Sequence, residues 1–151
     1  MEELVELLKQ KNLTLSCVES LTGGLFASSI TNIPGVSKVF KGGVVTYWTS
    51  IKEEVVHVNK DIITKYGVVS SECALEMARH GQELLTSDIC ISFTGNAGPD
   101  VMENKPVGLV YIGLKIKDKE FVKELHLQGN RQEIRKKCIQ EGCNLIFEKI
   151  F

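Results

Sequence analysis

Ser20 stands in Glu19-Ser20-Leu21-Thr22-Gly23-Gly24, between an apolar run ending at Val18 and the residues Leu25, Phe26, Ala27 and Ile30, which recur at helical spacing. The pattern predicts a buried strand, a tight turn and a helix. A hydroxyl at the carboxyl end of a strand, followed by a turn that opens a helix, sets an oxygen nucleophile beside backbone N–H groups without helical acceptors. Such groups can hold an oxyanion or a phosphate. The same residues also fit an ordinary helix entry in which Thr22 caps the amides, and spacing alone favours that simpler role. Neither the dinucleotide-binding glycine pattern nor the phosphate loop with its lysine is present.

Two further stretches bear on what Ser20 could do. Ser50 followed by Glu53 fits a capping box, which places Lys52 in the first turn of a helix over Ser50 to Val58. The helix dipole there lowers the pKa of an ammonium, which suits a base, although an exposed surface lysine is the commoner outcome. Gly95-Asn96-Ala97-Gly98-Pro99 ends the most continuous apolar run of the chain, Asp88 to Thr94, and is a candidate second wall of a pocket. His57, His80 and His126 fall on separate elements without metal-ligand spacing, so no metal is expected. Ser20 also lacks the G-x-S-x-G elbow. A serine activated by a lysine is the remaining serine mechanism.

The elements that must position these residues follow from composition and periodicity. A chain of 151 residues with 43% hydrophobic and 25% charged residues is expected to form one domain, residues 1–151. A net charge of −1 argues against a nucleic-acid groove. Met1 to Gln10 lacks the apolar core of a secretion signal, and no stretch reaches membrane-spanning length. Five cysteines without a CxxC pair predict neither a zinc site nor a disulfide framework but reduced thiols in the cytoplasm, with Cys17 and Cys90 as core residues.

Helical spacing predicts an amphipathic helix over Glu2 to Lys11, a helix from Leu25 stopped by Thr31 to Gly35, a short helix over Lys60 to Tyr66, and a long one from Ser70 or Ser71 through Glu83. A last helix runs from Arg131 to Ile150. Strands are expected at Thr14 to Val18, Val39 to Tyr47 and Asp88 to Thr94, the last at the sheet centre. Gly42-Gly43 marks a bulge or a close backbone approach in the second strand. Val107 to Lys117 and Glu120 to Gln128 form a hairpin about Lys117-Asp118-Lys119. The order predicts an α/β fold: a three-layer α/β/α sandwich with a mixed, mostly parallel sheet and a C-terminal antiparallel hairpin.

Taken together, Glu19-Ser20-x-Thr22-Gly23-Gly24, Gly43-Val44-Val45-Thr46-Tyr47 with Lys52 five residues on, Gly67-x-Val69-Ser70, Thr94-Gly95-x-Ala97-Gly98-Pro99 and Lys105-Pro106-Val107-Gly108 resemble the CinA C-terminal domain family. Gly129-x-Arg131-x-x-Ile134-Arg135 extends the resemblance into the last helix. Standalone members are nicotinamide mononucleotide deamidases. The resemblance implies an amidohydrolase that converts nicotinamide mononucleotide and water to nicotinic acid mononucleotide and ammonia, in pyridine nucleotide salvage, on a three-layer fold with one antiparallel strand. Many members carry a further N-terminal domain, and no activity of that domain is expected of these residues.

Carried over by residue, the resemblance makes Ser20 the nucleophile, Lys52 the general base and Tyr47 a third polar group, expected to hydrogen-bond Lys52 or Ser20. The Thr22, Gly23 and Gly24 amides are expected at the oxyanion, and Thr94, Gly95, Ala97, Gly98 and Arg131 at the ribose and phosphate. No cofactor is implied. The expected partners are a small-molecule nucleotide and a second copy of the chain in a homodimer, with no nucleic acid and no membrane. The sequence departs from the family pattern at Leu21, Trp48-Thr49 and Asn96 and in the loop after Pro99. These departures motivate two other expectations: a nucleotide- or partner-binding module of the same fold with weak catalysis, or an amidase for another small amide.

Overall fold

The computed structural model describes residues 1–151. The chain runs α1 (Glu2–Lys11), β1 (Leu15–Glu19), α2 (Leu25–Thr31), β2 (Phe40–Val45), α3 (Thr49–Glu54), α4 (Lys60–Tyr66), α5 (Ser71–Leu85), β3 (Ile89–Gly95), β4 (Leu109–Ile116), β5 (Lys119–His126) and α6 (Arg131–Ile150). The five strands form one sheet in the order β2-β1-β3-β4-β5. β1 pairs in parallel with β2 and β3, whereas β4 is antiparallel to both of its neighbours. Four strands therefore share one direction and β4 alone is reversed. The apolar run expected at the centre is the central strand, and every residue of β1 and β3 is buried.

Side chains alternate between two cores because successive strand residues face opposite sides. Leu15 and Cys17 of β1, Ile91 and Phe93 of β3 and Ile112 of β4 pack with Leu4, Leu8, Phe26, Ile30, Ile134 and Ile146 of α1, α2 and α6. On the other face, Val18 and Cys90 pack with Cys73 and Met77 of α5 and with Val56, Val58, Val68 and Val69. The result is the three-layer sandwich with a mixed sheet and a closing hairpin. Close approach needs small residues. A Cβ at Gly113 of β4 would overlap the Ala74 carbonyl of α5, and one at Gly43 would overlap the Cys17 sulfur. The pairing of β1 with β2 also shifts register between Leu15 and Ser16, leaving Lys41 as the extra residue, so the bulge falls just before Gly42-Gly43 and the close approach at Gly43.

One helix differs from expectation in a way that matters for the site. α3 begins at Thr49 and ends at Glu54, with Trp48 as N-cap and no side-chain cap. The Ser50 capping box does not form, because the chain leaving β2 enters the helix two residues early, with Trp48 in place of Ser50 at the cap, and Ser50 lies inside it. Lys52 falls in the last turn, not the first, and is buried. A capping box is instead present where α6 starts, between Asn130 and Glu133. Ser70 caps α5 by accepting from the Cys73 N–H.

Candidate active site

Parallel pairing of β1 with β2 ends at Glu19 opposite Val45, so the next residues, Ser20 and Thr46, emerge side by side at the carboxyl end of the sheet. Ser20 is tied to the third strand, its N–H donating to the Phe93 carbonyl at 2.9 Å, and the Thr46 N–H donates to the Glu19 carbonyl at 2.8 Å. Lys52 reaches back from α3 beneath them. Its Nζ donates to the Thr46 carbonyl at 2.6 Å and lies 2.9 Å from Ser20 Oγ. The side chain is 1% exposed, and no carboxylate forms an ion pair with it.

Burial lowers the Lys52 pKa below its ordinary value, against a smaller opposing pull from Cys73 and Glu103. The direction matches the sequence expectation but the cause differs. Desolvation does what was assigned to a helix N-terminus. A neutral amine so placed has its lone pair free for the Ser20 proton while an N–H holds the Thr46 carbonyl.

The turn after Ser20 is organised by a residue that sequence reasoning passed over. The buried Glu19 carboxylate accepts the N–H groups of Gly24 (3.2 Å), Phe26 (3.0 Å) and Ala27 (2.9 Å), and so caps α2 with a negative charge at its positive end. An acid a few residues before a helix start was the available signal. Thr22 does not provide the cap, and its hydroxyl is one of two buried side-chain oxygens or nitrogens in the chain without a partner, the other being the Thr46 hydroxyl. Both residues bracket the Ser20–Lys52 pair, where unsatisfied groups have most reason to persist.

The capping also corrects the expected oxyanion donors. Gly24 gives its N–H to Glu19, and Gly23 gives its own to the Ser20 carbonyl at 3.0 Å. Of Thr22, Gly23 and Gly24, only Thr22 has an N–H without an acceptor in the chain, and it shares that state with Leu21, the residue after the nucleophile. Arg135 orients the peptide that carries the Thr22 N–H and the peptide after it, Nε donating to the Leu21 carbonyl at 3.0 Å and Nη2 to the Thr22 carbonyl at 2.7 Å. Arg131 and Arg135 lie four apart on the first turns of α6, a spacing that puts them on one face. That spacing was legible in the sequence.

A cavity of about 150 Å³ opens above Ser20, lined by Leu21, Tyr47, Gly95 to Gly98, Asp100, Met102 and Arg131. The Ala97 and Gly98 N–H groups find no acceptor in the chain. Arg131 bridges the mouth, donating from Nη1 to the Gly98 carbonyl at 2.7 Å and from Nη2 to the Tyr47 hydroxyl at 2.6 Å. Tyr47 thus meets neither Lys52 nor Ser20, because it lies beyond the end of β2 and turns outward, half exposed. Thr94 is also displaced from its expected role. Its hydroxyl donates to the Val68 carbonyl at 2.7 Å and fastens the segment before α5, away from the cavity.

The histidines lie elsewhere, His80 beside Glu76 and His126 beside Glu124. No three His, Cys, Asp or Glu side chains converge as a metal site would require. No helix is long and apolar enough to cross a membrane. A larger cleft of about 520 Å³ lies at the other end of the sheet, between Leu13, the β4–β5 turn and Ile150, and contains no nucleophile–base pair.

Fold and site together define an open α/β protein with a buried serine–lysine pair at the carboxyl ends of its parallel strands. The sequence matches the CinA C-terminal domain over residues 1–150. This chain belongs to that family. A competence-damage inducible protein of Bacillus thuringiensis (strain Al Hakam) is 49% identical over 150 residues, which cover 99% of this chain and 36% of the relative. The chain thus spans about a third of the length of such relatives. Among solved structures, the competence damage-inducible protein A of Klebsiella pneumoniae is 25% identical with a TM-score of 0.95, covering 99% of this chain and 96% of that one. The competence/damage inducible protein CihA of Agrobacterium tumefaciens is 31% identical with a TM-score of 0.90, covering 97% and 93%.

Proposed function

We propose that this chain is an amidohydrolase that uses Ser20 and Lys52 to deamidate nicotinamide mononucleotide. One observation carries the reading: a desolvated lysine amine with no carboxylate partner lies 2.9 Å from a serine hydroxyl at the floor of a cavity. Neutral Lys52 takes the Ser20 proton, and the alkoxide attacks the carboxamide carbon. The free N–H groups of Leu21 and Thr22, the two residues that follow the nucleophile, are assigned to the tetrahedral oxyanion. The Lys52 ammonium then returns the proton to the departing nitrogen, and ammonia leaves. Water, deprotonated by the same amine, attacks the acyl-enzyme, releases nicotinic acid mononucleotide and restores Ser20.

The phosphate is assigned to the mouth, where Ala97 and Gly98 offer free N–H groups and Arg131 uses two of its five N–H donors within the chain. The test is ammonia release by the purified protein from nicotinamide mononucleotide, with nicotinamide, nicotinamide riboside and the dinucleotide alongside. Release from the mononucleotide, reduced at least about a thousandfold in Ser20→Ala, is expected. A cavity of about 150 Å³ also favours a second reading, an amidase for a smaller carboxamide. Faster release from nicotinamide itself would select it. Silence with all four substrates in folded protein would replace both with a binding module.

A further inference from the structure

The cavity over Ser20, at about 150 Å³, is well below the roughly 300 Å³ at which small-molecule sites usually begin. One wall comes from the segment between Pro99 and Pro106, through Asp100 and Met102. Apolar burial does not hold that segment, since Val101 and Met102 are 45% and 44% exposed. Polar straps do. The Asn96 Oδ1 accepts the Met102 N–H at 3.0 Å, and its Nδ2 donates to the carbonyls of Met102 (3.2 Å) and Lys105 (3.1 Å). Farther along, Glu103 accepts the N–H groups of Val68 (2.8 Å) and Val69 (3.0 Å), and Lys105 donates to the Tyr66 carbonyl at 3.2 Å.

Among these straps Asn96 alone grips Met102, and it grips both peptide groups of that residue. Asn96 cannot itself drift. It is 3% exposed, its N–H donates to the Leu109 carbonyl at 3.0 Å, and its carbonyl accepts from Gly108 at 2.8 Å. A fixed side chain therefore fixes a movable wall.

We infer that Asn96 is a specificity-determining residue, which holds Met102 over Ser20 and limits the acyl group that reaches the nucleophile to a single flat ring. This rests on Ser20 being the nucleophile. The ring-bound carboxamide enters the cavity, and the remainder of the substrate lies at the mouth beside Tyr47 and Arg131. Carboxamides on fused or branched rings are excluded. The limit is set by a polar clamp, so removing the amide should relax it without altering the Ser20–Lys52 pair.

Sulfonyl fluorides of graded size test this without the natural substrate. Ser20 Oγ attacks sulfur, the S–F bond breaks, fluoride leaves, and Lys52 takes the hydroxyl proton, so each adduct is read as a mass gain absent from Ser20→Ala. Phenylmethanesulfonyl fluoride, with one ring, is expected to label the unmodified protein at least about tenfold faster than dansyl fluoride, with two fused rings. In Asn96→Ala the ratio should fall several-fold, towards that of the reagents' intrinsic reactivities, while amide hydrogen exchange over residues 100–105 quickens. Met102→Ala, which shortens the wall and leaves the straps intact, should lower the ratio as well and serves if Asn96→Ala does not fold. An unchanged ratio in these variants, with the small reagent still labelling Ser20, overturns the inference alone. Failure of both reagents to label Ser20 in folded protein overturns the nucleophile assignment, and this inference with it.

Discussion

Lys52 is a buried lysine, 1% exposed, without a salt bridge. A buried ammonium without an ion-pair partner is costly, so the group lowers its pKa and spends more of its time neutral. Two consequences can be measured. Hydrolysis requires the free amine, so kcat/KM should rise with pH along a limb centred below the ordinary lysine value, and Lys52→Met should lose that limb with a fall of at least about a thousandfold. Stability should follow the same proton. Between the lowered folded pKa and the unfolded value of 10.5, the unfolded chain binds more protons, so stability rises with pH across that window. Below the folded value the burial penalty is fully present. Lys52→Met removes it, and its Tm advantage over the unmodified protein should widen as pH falls from about 10 and then level off. A gap independent of pH would mean that Lys52 is not desolvated.

At the scale of elements, the site depends on α5 lying close on the sheet. Cys73 and Met77 of this helix pack in the core on the Val18 face, and the Ser92 hydroxyl of β3 donates to the Ala74 carbonyl at 2.6 Å. Gly113 makes the approach possible, since a Cβ there would meet backbone that cannot rotate aside. Gly113→Ala should therefore cost about 3 kcal/mol. For a chain of this length that lowers Tm by roughly 6–12 °C, readable by calorimetry. An unchanged Tm would show that α5 sits farther out.

The same scale explains what could be read from sequence. α1 and α6 were legible because their apolar residues recur at helical spacing, and β1 and β3 because each is a short apolar run bounded by turn residues. α3 was not. Ser50 and Glu53 satisfy a local signature, but the helix start is set by where β2 releases the chain, a tertiary fact. Likewise, a lysine in a short helix reads as exposed; resemblance pairs Lys52 with Ser20, but its burial beneath the ends of β1 and β2 is a tertiary fact. Glu19 escaped notice because it caps from inside the preceding strand. Tyr47 and Thr94 were placed by resemblance, which supplies residue types without the directions of their side chains.

For the molecule as a whole, the five cysteines report on how completely the layers close. Cys17 and Cys90 lie on β1 and β3, Cys73 on α5, and Cys138 and Cys143 on α6, so all three layers carry one or more. All are buried and free. Burial raises every one of these thiols, Cys73, Cys90 and Cys138 to about 12, so thiolate is scarce as well as inaccessible. A thiol–disulfide reagent such as 5,5′-dithiobis(2-nitrobenzoate) needs the thiolate in the open. Native protein at pH 8 should therefore react on the timescale of opening, not of mixing, and all five thiols should appear at once in denaturant. The position of any fast thiol would be informative. Rapid labelling confined to Cys138 and Cys143 would identify α6 as a locally opening unit and detach Arg131 and Arg135 from the site. Rapid labelling of Cys73 would instead loosen α5 beside Lys52 and abolish the desolvation on which its lowered pKa depends. Five slow thiols with a common rate would mean that the core on each face of the sheet opens only when the whole molecule unfolds.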